Sequence, residues 1–388
     1  MDFSLNEDQL SIQKAAREIS SAFDDAYWAR CDAEHEFPWD FYNAFAQGGW
    51  IGLSIPEQYG GGGQGITEAA LLLEEIAASG AGMNGCSPMH LSIFGMNCVT
   101  QAGSEALREE ILPGVASGEL HICFGVTEPD AGTDTTRIST VARRDGDDYL
   151  ISGRKVWITK AGQSQKIVLL TRTTPRAESR RSTDGFSVFI VDLDDSNISV
   201  APIPKMGRNA VASYEVVLDN VRVPSSRLVG TEGEGFKVLL HGLNPERILL
   251  AHESLGIGRV SVHRAVEYAK EREVFGRPIG QNQGIAFPLA QAYAQLDGAE
   301  LVARKAAWMY DQGMECGREA NTAKLLAADA AFFAADRAVQ TLGGMGYSLE
   351  YPVSRFFREA RLMRIAPITQ EMVLNYISQH VLGLPRSY

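Results

Sequence analysis

The chain has 388 residues, enough for two or three domains with sizeable cores. Hydrophobic residues make up 45% of it and charged residues 22%, which excludes a disordered or low-complexity protein. The net charge of −12 argues against nucleic acid or an anionic membrane as the main partner, although a local cluster of Arg and Lys can still bind an anionic substrate.

The cysteines and histidines show no pattern of a disulfide framework or a metal site. The five cysteines are widely spaced and form no C-x-x-C pair, and the seven histidines form neither H-x-H nor H-E-x-x-H. Residues 1–8 are acidic where a signal peptide would be basic and then apolar, and no apolar run approaches the roughly 18 residues of a membrane span. We therefore expect no metal, no membrane span and a location in the reducing cytoplasm.

The first two regions of the chain differ in their patterns. Residues 1–120 are mostly helical, as in Ile66–Ala78, which opens with Thr67 and lies between Gly-rich breaks. Residues 121–232 instead carry short β-branched runs bounded by Gly, Asp, Asn and Pro. These runs are Tyr149–Thr159, Lys166–Arg172, Phe186–Leu193 and Tyr214–Val223. Because no long helices separate them, they predict an antiparallel sheet rather than a doubly wound parallel one.

The third region returns to long helices. Apolar residues recur every seven positions from Ile248 to Ala269, and Ala-rich stretches such as Ala323–Val339 let helices approach closely. These features predict a helical bundle in which the Ala-rich helices are largely buried between subunits. The order of the three regions predicts an α+β protein with domains at residues 1–120, 121–232 and 233–388.

Three short segments are candidates for cofactor binding. Residues 60–65 formally match G-x-G-x-x-G but lack the strand and βαβ context of a dinucleotide fingerprint, so a flexible turn is the better interpretation. In residues 122–136 an apolar strand leads into a loop of Gly, Thr and Asp that suits a phosphate or a heteroaromatic ring edge, with an ordinary strand–turn connection as the alternative. Trp157 and Thr159 would face the same side of a strand, although Trp157 could equally be a core residue.

Four motifs together resemble the acyl-CoA dehydrogenase family of flavoproteins. They are Thr127–Asp134 for T-E-P-x-x-G-S-D (with Thr133 for Ser), Lys155–Thr159 for K-x-W-I-T, Arg272–Ile279 with Gln283 for R-x-x-F-G-x-x-I…Q, and Gln340–Tyr347 for Q-x-x-G-G-x-G-Y/F. The motifs occur in the family's order and at its spacing. The resemblance covers essentially the whole chain.

This resemblance implies a helical N-terminal domain, a middle β-domain and a C-terminal four-helix bundle, assembled as a homotetramer that is a dimer of dimers. It also implies FAD between the middle domain and the bundle, with a neighbouring subunit completing the site. The residues implied to bind FAD are Phe124, Val126, Thr127, Gly132, Thr133, Trp157, Thr159, Arg272, Phe275, Gln283, Gln340, Gly344 and Thr369. Those implied to reach the FAD of the partner subunit are Arg272, Phe275, Gln283, Gln340 and Gly344.

The catalytic base is where this chain departs from the common family pattern. Most members carry a glutamate in a C-terminal Y-E-G-T motif, whereas residues 366–369 read Ala-Pro-Ile-Thr, and Pro367 cannot abstract a proton. A minority, including isovaleryl-CoA and long-chain enzymes, place the base in L-x-x-E-R, which Leu243–Arg247 matches. The resemblance therefore implies Glu246 as the base. The residues implied to contact the substrate are Thr133, Leu243, Asn244 and Arg247.

The local sequence leaves another interpretation of Glu246 open. Asn244 as the N-cap and Pro245 as the first helical residue would make Glu246 a helix-start carboxylate stabilised by the macrodipole. The dipole would lower its pKa, whereas desolvation by a bound acyl chain would raise it. Glu371 and Glu253 are weaker candidates for the base.

The implied reaction is the α,β-dehydrogenation of an acyl-CoA to the trans-2-enoyl-CoA, as in fatty acid β-oxidation. The base removes an α-proton, the β-hydride goes to flavin N5, and electrons pass to an electron-transferring flavoprotein. Ala366 stands where many relatives have a tyrosine, which favours a branched acyl chain. Loss of Y-E-G-T leaves a flavin oxidase or monooxygenase as one alternative. A non-catalytic acyl-thioester-binding protein is another.

Overall fold

A computed structural model describes residues 4–387. Met1–Phe3, on which part of the signal-peptide prediction rests, lie outside the described residues, as does Tyr388. The chain begins with a helical region. Its helices are α1 Glu7–Ser20, α2 Asp25–Glu34, α3 Trp39–Gln47, α4 Ile66–Ile76, α5 Gly82–Ala102 and α6 Glu105–Ser117.

Helix α4 begins where the sequence analysis expects, but a distant residue caps it. Its N-cap is Gly65, which has no side chain to satisfy the first amides. The Asp311 carboxylate accepts instead from the N–H groups of Ile66 at 2.8 Å and Thr67 at 2.9 Å. Asp311 ends a helix of the C-terminal region, so this cap ties the two helical regions together.

The middle region is an eight-stranded sheet. Its strands are β1 Ile122–Gly125, β2 Val141–Asp145, β3 Asp148–Thr159, β4 Lys166–Arg172, β5 Phe186–Asp192, β6 Ile198–Ile203, β7 Ser213–Pro224 and β8 Leu228–Val229. The strand order is β6-β7-β3-β2-β4-β5-β8, with β1 also paired to β4. The prediction of a purely antiparallel sheet is wrong at two places, because β1 and β2 both pair with β4 in parallel. The remaining pairs are antiparallel.

Strand β4 is almost continuously apolar because both of its faces are covered. Val168 and Leu170 pack into one hydrophobic cluster with residues of α6 and the helix after β8. Ile167 and Leu169 point to the other face and pack with Tyr149 and neighbouring strands. This two-residue period places the sheet between two apolar layers.

The C-terminal region contains the longest helices. Its elements are α7 Gly235–Glu271, β9 Glu273–Val274, β10 Arg277–Pro278, α8 Gln283–Asp311, α9 Gly317–Leu342, α10 Gly344–Tyr347, α11 Val353–Met363 and α12 Gln370–Tyr376. Helices α7, α8, α9 and α11 pack against one another as a bundle. The alanines of α9 are buried inside this single chain, whereas Leu326 on the same helix is exposed, and burial of the Ala-rich helices between subunits stays a prediction.

Polar contacts between the regions position the site. Asp32 on α2 accepts from Asn209 N at 2.9 Å in the middle region and from Arg358 Nη2 at 2.8 Å on α11. The buried Lys160 after β3 donates to the Pro88 carbonyl on α5 at 3.0 Å. A Cβ at Gly235 would lie 2.7 Å from Ser187 Cα, so glycine permits α7 to start directly against β5. Across residues 4–387, no helix is both long and apolar enough for a membrane span.

Candidate active site

The first two sequence motifs meet at the end of strand β3. The Val156 N–H donates to the Thr127 carbonyl at 2.9 Å. The buried ammonium of Lys155 donates to the Val126 carbonyl at 3.0 Å and pairs with Glu128 at 2.9 Å. Two segments nearly thirty residues apart in sequence therefore form one rigid unit. Such a unit is needed if both motifs belong to one site.

Glu128 anchors the loop between these motifs. Its carboxylate accepts from Ser139 N at 2.6 Å and Thr140 N at 2.9 Å in addition to the Lys155 pair. Burial alone would raise the pKa of Glu128, but the Lys155 charge and these hydrogen bonds lower it to about 2. The ionised carboxylate thus fixes both ends of residues 129–138, on which Gly132 and Thr133 lie exposed. Glu128 belongs to the Thr127–Asp134 motif, but the sequence alone does not indicate this anchoring role.

Trp157 departs from the regular strand that was predicted. The β3–β7 register shifts between Lys155 and Ile158, and Trp157 has φ 63°, in the left-handed region. The irregularity therefore falls between Lys155 and Ile158, and regular pairing resumes at Ile158 and Thr159, so a shared face for Trp157 and Thr159 stays a prediction. The alternative of Trp157 as a core residue is wrong, because the side chain is 56% exposed. Its large flat ring is available to a ligand.

Thr159 is held by an arginine that sequence reasoning missed. Arg208 Nη2 donates to Thr159 Oγ1 at 3.2 Å and to Ser213 Oγ at 2.7 Å. Since Thr159 accepts from Arg208, its own O–H remains available to donate to a bound group. Burial lowers the pKa of Arg208 to about 10, so the guanidinium keeps its charge at neutral pH. An isolated arginine in a loop carries no sequence signal for such a role.

Phe124 connects this region to the N-terminal helices. Its ring centroid lies 5.3 Å from that of Phe94 on α5, in an edge-to-face arrangement. A Cβ on Gly242 of α7 would lie 3.4 Å from the Phe94 carbonyl oxygen, which places this turn of α7 in contact with α5. Phe94 therefore lies between Phe124 and the turn of α7 that precedes Glu246.

Glu246 lies inside a helix and not at its start. Helix α7 runs unbroken from Gly235 to Glu271, with Pro245 in its interior. The interpretation of Asn244 and Pro245 as a helix start is therefore wrong. The macrodipole acts within the first turn of a helix, so it does not stabilise the ionised carboxylate of Glu246, which lies three turns further on. Pro245 provides no N–H for the His241 carbonyl, which instead accepts from Asn97 Nδ2 at 3.3 Å. Contacts to α5 thus compensate for the proline.

The three candidate carboxylates have different environments. Burial raises the pKa of Glu246 to about 7, opposed by the nearby charges of His90 and Arg247. The side chain remains partly accessible. Glu371 is exposed at the start of α12, where backbone and Thr369 hydrogen bonds lower its pKa. Glu253 is fully buried and bonded to His90 at 2.9 Å. Only Glu246 combines access with a pKa near neutrality, as a general base requires.

The residues around Glu246 leave an arginine without an anionic partner. Arg247 Nη1 donates to the Leu243 carbonyl at 3.0 Å and to Asn244 Oδ1 at 3.3 Å, while its Nε is buried without a partner. No carboxylate lies within ion-pair distance of Arg247 among residues 4–387. The guanidinium is thus held in place by neutral acceptors and can meet an incoming anion.

A second group of predicted cofactor residues lies far from Glu246. Arg272 follows the last residue of α7, 26 positions after Glu246, which corresponds to about 39 Å along the axis. The whole group is exposed: Arg272, Phe275, Gln283, Gln340 and Gly344. Phe275 is 100% exposed on the β9–β10 turn. Thr369 lies elsewhere, capping α12 by accepting from Met372 N at 3.4 Å. The structure therefore divides the predicted cofactor residues into separate sets.

The first set has the chemistry needed to hold a flavin ring. An exposed indole, a hydroxyl free to donate and a loop of exposed N–H groups lie on one rigid unit made by β3 and the segment after β1. Exposed large aromatics of this kind are informative because they find no partner within their own chain. Residues 4–387 contain no group of three His, Cys, Asp or Glu side chains placed to hold a metal.

Comparisons with known proteins match these regions over the whole chain. The profile described as "Acyl-CoA dehydrogenase, N-terminal domain" matches residues 6–119, the middle-domain profile residues 123–221, and the C-terminal-domain profile residues 233–382. Acyl-CoA dehydrogenase FadE12 of Mycobacterium tuberculosis is 39% identical over 385 residues, which cover 99% of this chain and 98% of that protein. These matches confirm the predicted α+β class and the order helical, β, helical.

Solved structures agree with the sequence matches. A glutaryl-coenzyme A dehydrogenase in complex with glutaryl-CoA superposes with a TM-score of 0.94 at 31% identity, covering 100% of this chain and 98% of that one. A glutaryl-CoA dehydrogenase of Mycobacterium smegmatis in complex with FADH2 gives a TM-score of 0.91 at 27% identity, covering 99% and 96%. The prediction of an FAD-dependent enzyme is thereby confirmed. The chain belongs to the acyl-CoA dehydrogenase family, whose members are FAD-dependent oxidoreductases acting on CH–CH bonds.

Proposed function

We propose that the protein dehydrogenates an acyl-CoA thioester between its α- and β-carbons, with Glu246 as the base that removes the α-proton. The observation that carries this proposal is the environment of Glu246. It is a partly accessible carboxyl with a pKa of about 7, on α7 opposite the aromatic residues of α5. A base with this pKa is substantially ionised at neutral pH and still basic enough to accept a proton.

The remaining residues divide the other tasks. FAD, when bound, supplies the acceptor for the β-hydride. Trp157 provides a flat surface for its ring system, and Thr159 provides a hydrogen-bond donor that Arg208 orients. Phe94 and Phe124 keep the region beside Glu246 apolar, which limits the screening of its charge by water. Arg247 offers a positive charge to the anionic CoA part of the substrate.

The proposal for the acyl class is based on residues 366–368, the segment that replaces the common C-terminal glutamate motif. Residues 366–368 carry no acidic side chain, so this segment supplies no second base. Ala366 is small and partly exposed, which leaves room where a tyrosine would project. We infer that the pocket accepts a branched acyl chain, since a branch needs width next to the reacting carbons. Leu243, Asn244 and Thr133 are inferred to line the path of the substrate.

We also infer that the protein acts as a homotetramer in the cytoplasm and passes electrons to an electron-transferring flavoprotein. Exposed aromatics on the C-terminal region support assembly, because Phe275 and Tyr347 are 100% and 88% exposed and Trp308 on α8 is 54% exposed. The five cysteines are all free, which fits a reducing compartment. The electron acceptor is inferred from the resemblance to the family alone.

The test is anaerobic bleaching of the flavin by a panel of straight and branched acyl-CoAs. Wild type should bleach, and Glu246→Gln should bind the thioester without bleaching. Glu371→Gln is the control, since Glu371 is exposed at the start of α12 and should leave bleaching unchanged. Equal bleaching by wild type and Glu246→Gln would refute Glu246 as the base. Absence of bleaching by every acyl-CoA would refute the dehydrogenase proposal, and rapid oxidation of the reduced flavin by oxygen would favour an oxidase.

A further inference from the structure

Glu253 is a fully buried carboxylate with half of its hydrogen-bonding capacity unused. Its side chain is 0% exposed on α7, and Oε1 lies 2.9 Å from Nδ1 of His90 on α5. Its other oxygen, Oε2, is buried without a hydrogen-bond partner. A buried carboxylate in this condition is costly unless a positive charge stands beside it. The pairing atom belongs to His90, which therefore stands where that charge is needed.

His90 joins this buried carboxylate to the candidate base. Glu253 and Glu246 are seven residues apart on α7, so they lie on the same helix face about 10 Å apart along the axis. His90 faces them from α5, and its ring lies 4.8 Å from that of Phe94, which contacts Phe124. Nδ1 points to Glu253, while Nε2 makes no hydrogen bond within residues 4–387. The ring thus bridges a buried anion and the site.

We propose that His90 is a positioning residue that places a positive charge beside Glu246. The buried carboxylate of Glu253 orients His90 and keeps it protonated. The charge of His90 then sets the pH range in which Glu246 is ionised. The inference rests on the proposed function for its consequence in catalysis. Its physical basis is the geometry of the three side chains on α5 and α7. The pair is neutral overall but presents its positive member to Glu246 and its negative member to the protein interior.

The surrounding charges are consistent with this arrangement. Glu253 and Glu246 raise the pKa of His90 against its burial, and Arg208 opposes them. Burial raises the pKa of Glu246 to about 7, His90 and Arg247 lower it, and Glu253 adds a smaller rise. The other titratable groups near the pair are Cys86 and Cys98 on α5 and Arg247 on α7. Burial raises the pKa of both thiols, so neither contributes charge at neutral pH.

The experiment compares the pH dependence of flavin reduction in the holoenzyme, using the best acyl-CoA of the panel, for wild type, His90→Gln and Glu253→Gln. His90→Gln removes the cation directly. Glu253→Gln keeps an acceptor for Nδ1 but removes the anion that keeps His90 protonated. Loss of a neighbouring cation disfavours an ionised carboxylate, so the acid limb should move to higher pH by about one unit in His90→Gln. The shift should have the same direction but be smaller in Glu253→Gln, because that variant also removes an anion that raises the pKa of Glu246.

A second buried histidine provides the control. His252 is adjacent to Glu253 but pairs with Glu74 at 2.7 Å. His252→Gln breaks a buried His–Glu pair of the same kind away from Glu246. It should lower stability and leave the acid limb unchanged. An equal shift in His252→Gln and His90→Gln would show that general loosening moves the profile, and it would overturn the proposal. An unchanged limb in His90→Gln would also overturn it.

An infrared measurement separates this inference from the proposed function. The carboxyl C=O band that is lost in Glu246→Gln is titrated against pH in wild type and in His90→Gln, with no substrate present. The midpoint should again rise in His90→Gln. If no acyl-CoA bleaches the flavin but this midpoint rises, the dehydrogenase proposal fails and the role of His90 stands. If bleaching occurs and the midpoint stays constant, the role of His90 fails alone.

Discussion

Replacing Glu246 by Gln should make the protein more stable at alkaline pH while it abolishes proton abstraction. The pKa of Glu246 is raised from 4.5 to about 7 in the folded protein. Between these values the folded state holds a proton that the unfolded chain has released, so stability falls as the pH rises. A shift of about 2.5 units corresponds to about 3 kcal/mol of lost stability above pH 7. Gln carries no charge and avoids this loss.

The assay is urea and thermal unfolding of the holoenzyme at pH 5 and pH 8 for wild type and Glu246→Gln. The variant should gain up to about 3 kcal/mol at pH 8 and little at pH 5. Glu371→Gln is the control, because the pKa of Glu371 is lowered by its helix-start hydrogen bonds, and its removal should give no gain at pH 8. A Glu246→Gln protein no more stable than wild type at pH 8, or equally stabilised at both pH values, would refute the reasoning.

Two further predictions test distant parts of the structure. Asp311→Ala removes the carboxylate that accepts from the first two amides of α4, so it should lower the free energy of unfolding by about 1–2 kcal/mol, measured by thermal unfolding. Asp311→Asn should retain part of this cap. Equal stability of Asp311→Ala and wild type would contradict the assignment of Asp311 as the cap. Arg272→Met removes an exposed guanidinium that has no ion pair within the described part of the chain, so the fold should change little. The affinity for FAD, measured by flavin fluorescence, should fall at least tenfold. An unchanged affinity would exclude Arg272 from the cofactor site.

Patterns carried by neighbouring residues predicted the architecture well. The β-branched runs of β4 and β5 and the helical spacing in α4 and α7 each lie within one element, and a short window of sequence contains that information. The parallel pairing of β1 with β4 was missed because it depends on where a distant strand inserts. Small residues allow close packing within a chain as well as between chains, so the Ala-rich pattern alone does not say which of the two contacts the α9 alanines make, and in this chain they pack internally.

Candidate site residues can be named from sequence where a motif lies in one stretch of chain, and they are missed where side chains act across the fold. Thr127 and Trp157 are candidates of the first kind, and their contact with FAD stays a prediction. Arg208 and Asp311 act on residues 49 and 245 positions away, and no local spacing marks them. The helix-start interpretation of Glu246 followed a valid local rule for Asn-Pro. It failed because α7 begins ten residues before Pro245, where Gly235 packs against Ser187. A contact from α5 satisfies the carbonyl group that the interior proline leaves without its helical hydrogen bond.

Helix α7 also constrains how many chains an active site needs. Glu246 lies on the continuous helix α7 and Arg272 directly follows its last residue, so about 39 Å separates them along the axis, and no side-chain movement closes that gap. If Glu246 reacts beside a flavin held at Trp157, and if Arg272 and the fully exposed Phe275 also bind FAD as proposed, then the FAD that they bind belongs to another copy of the chain. The two sets also differ in burial in the way this requires. Thr127 and Thr159 are partly covered by their own chain, whereas Arg272 and its group are left open for a partner to cover.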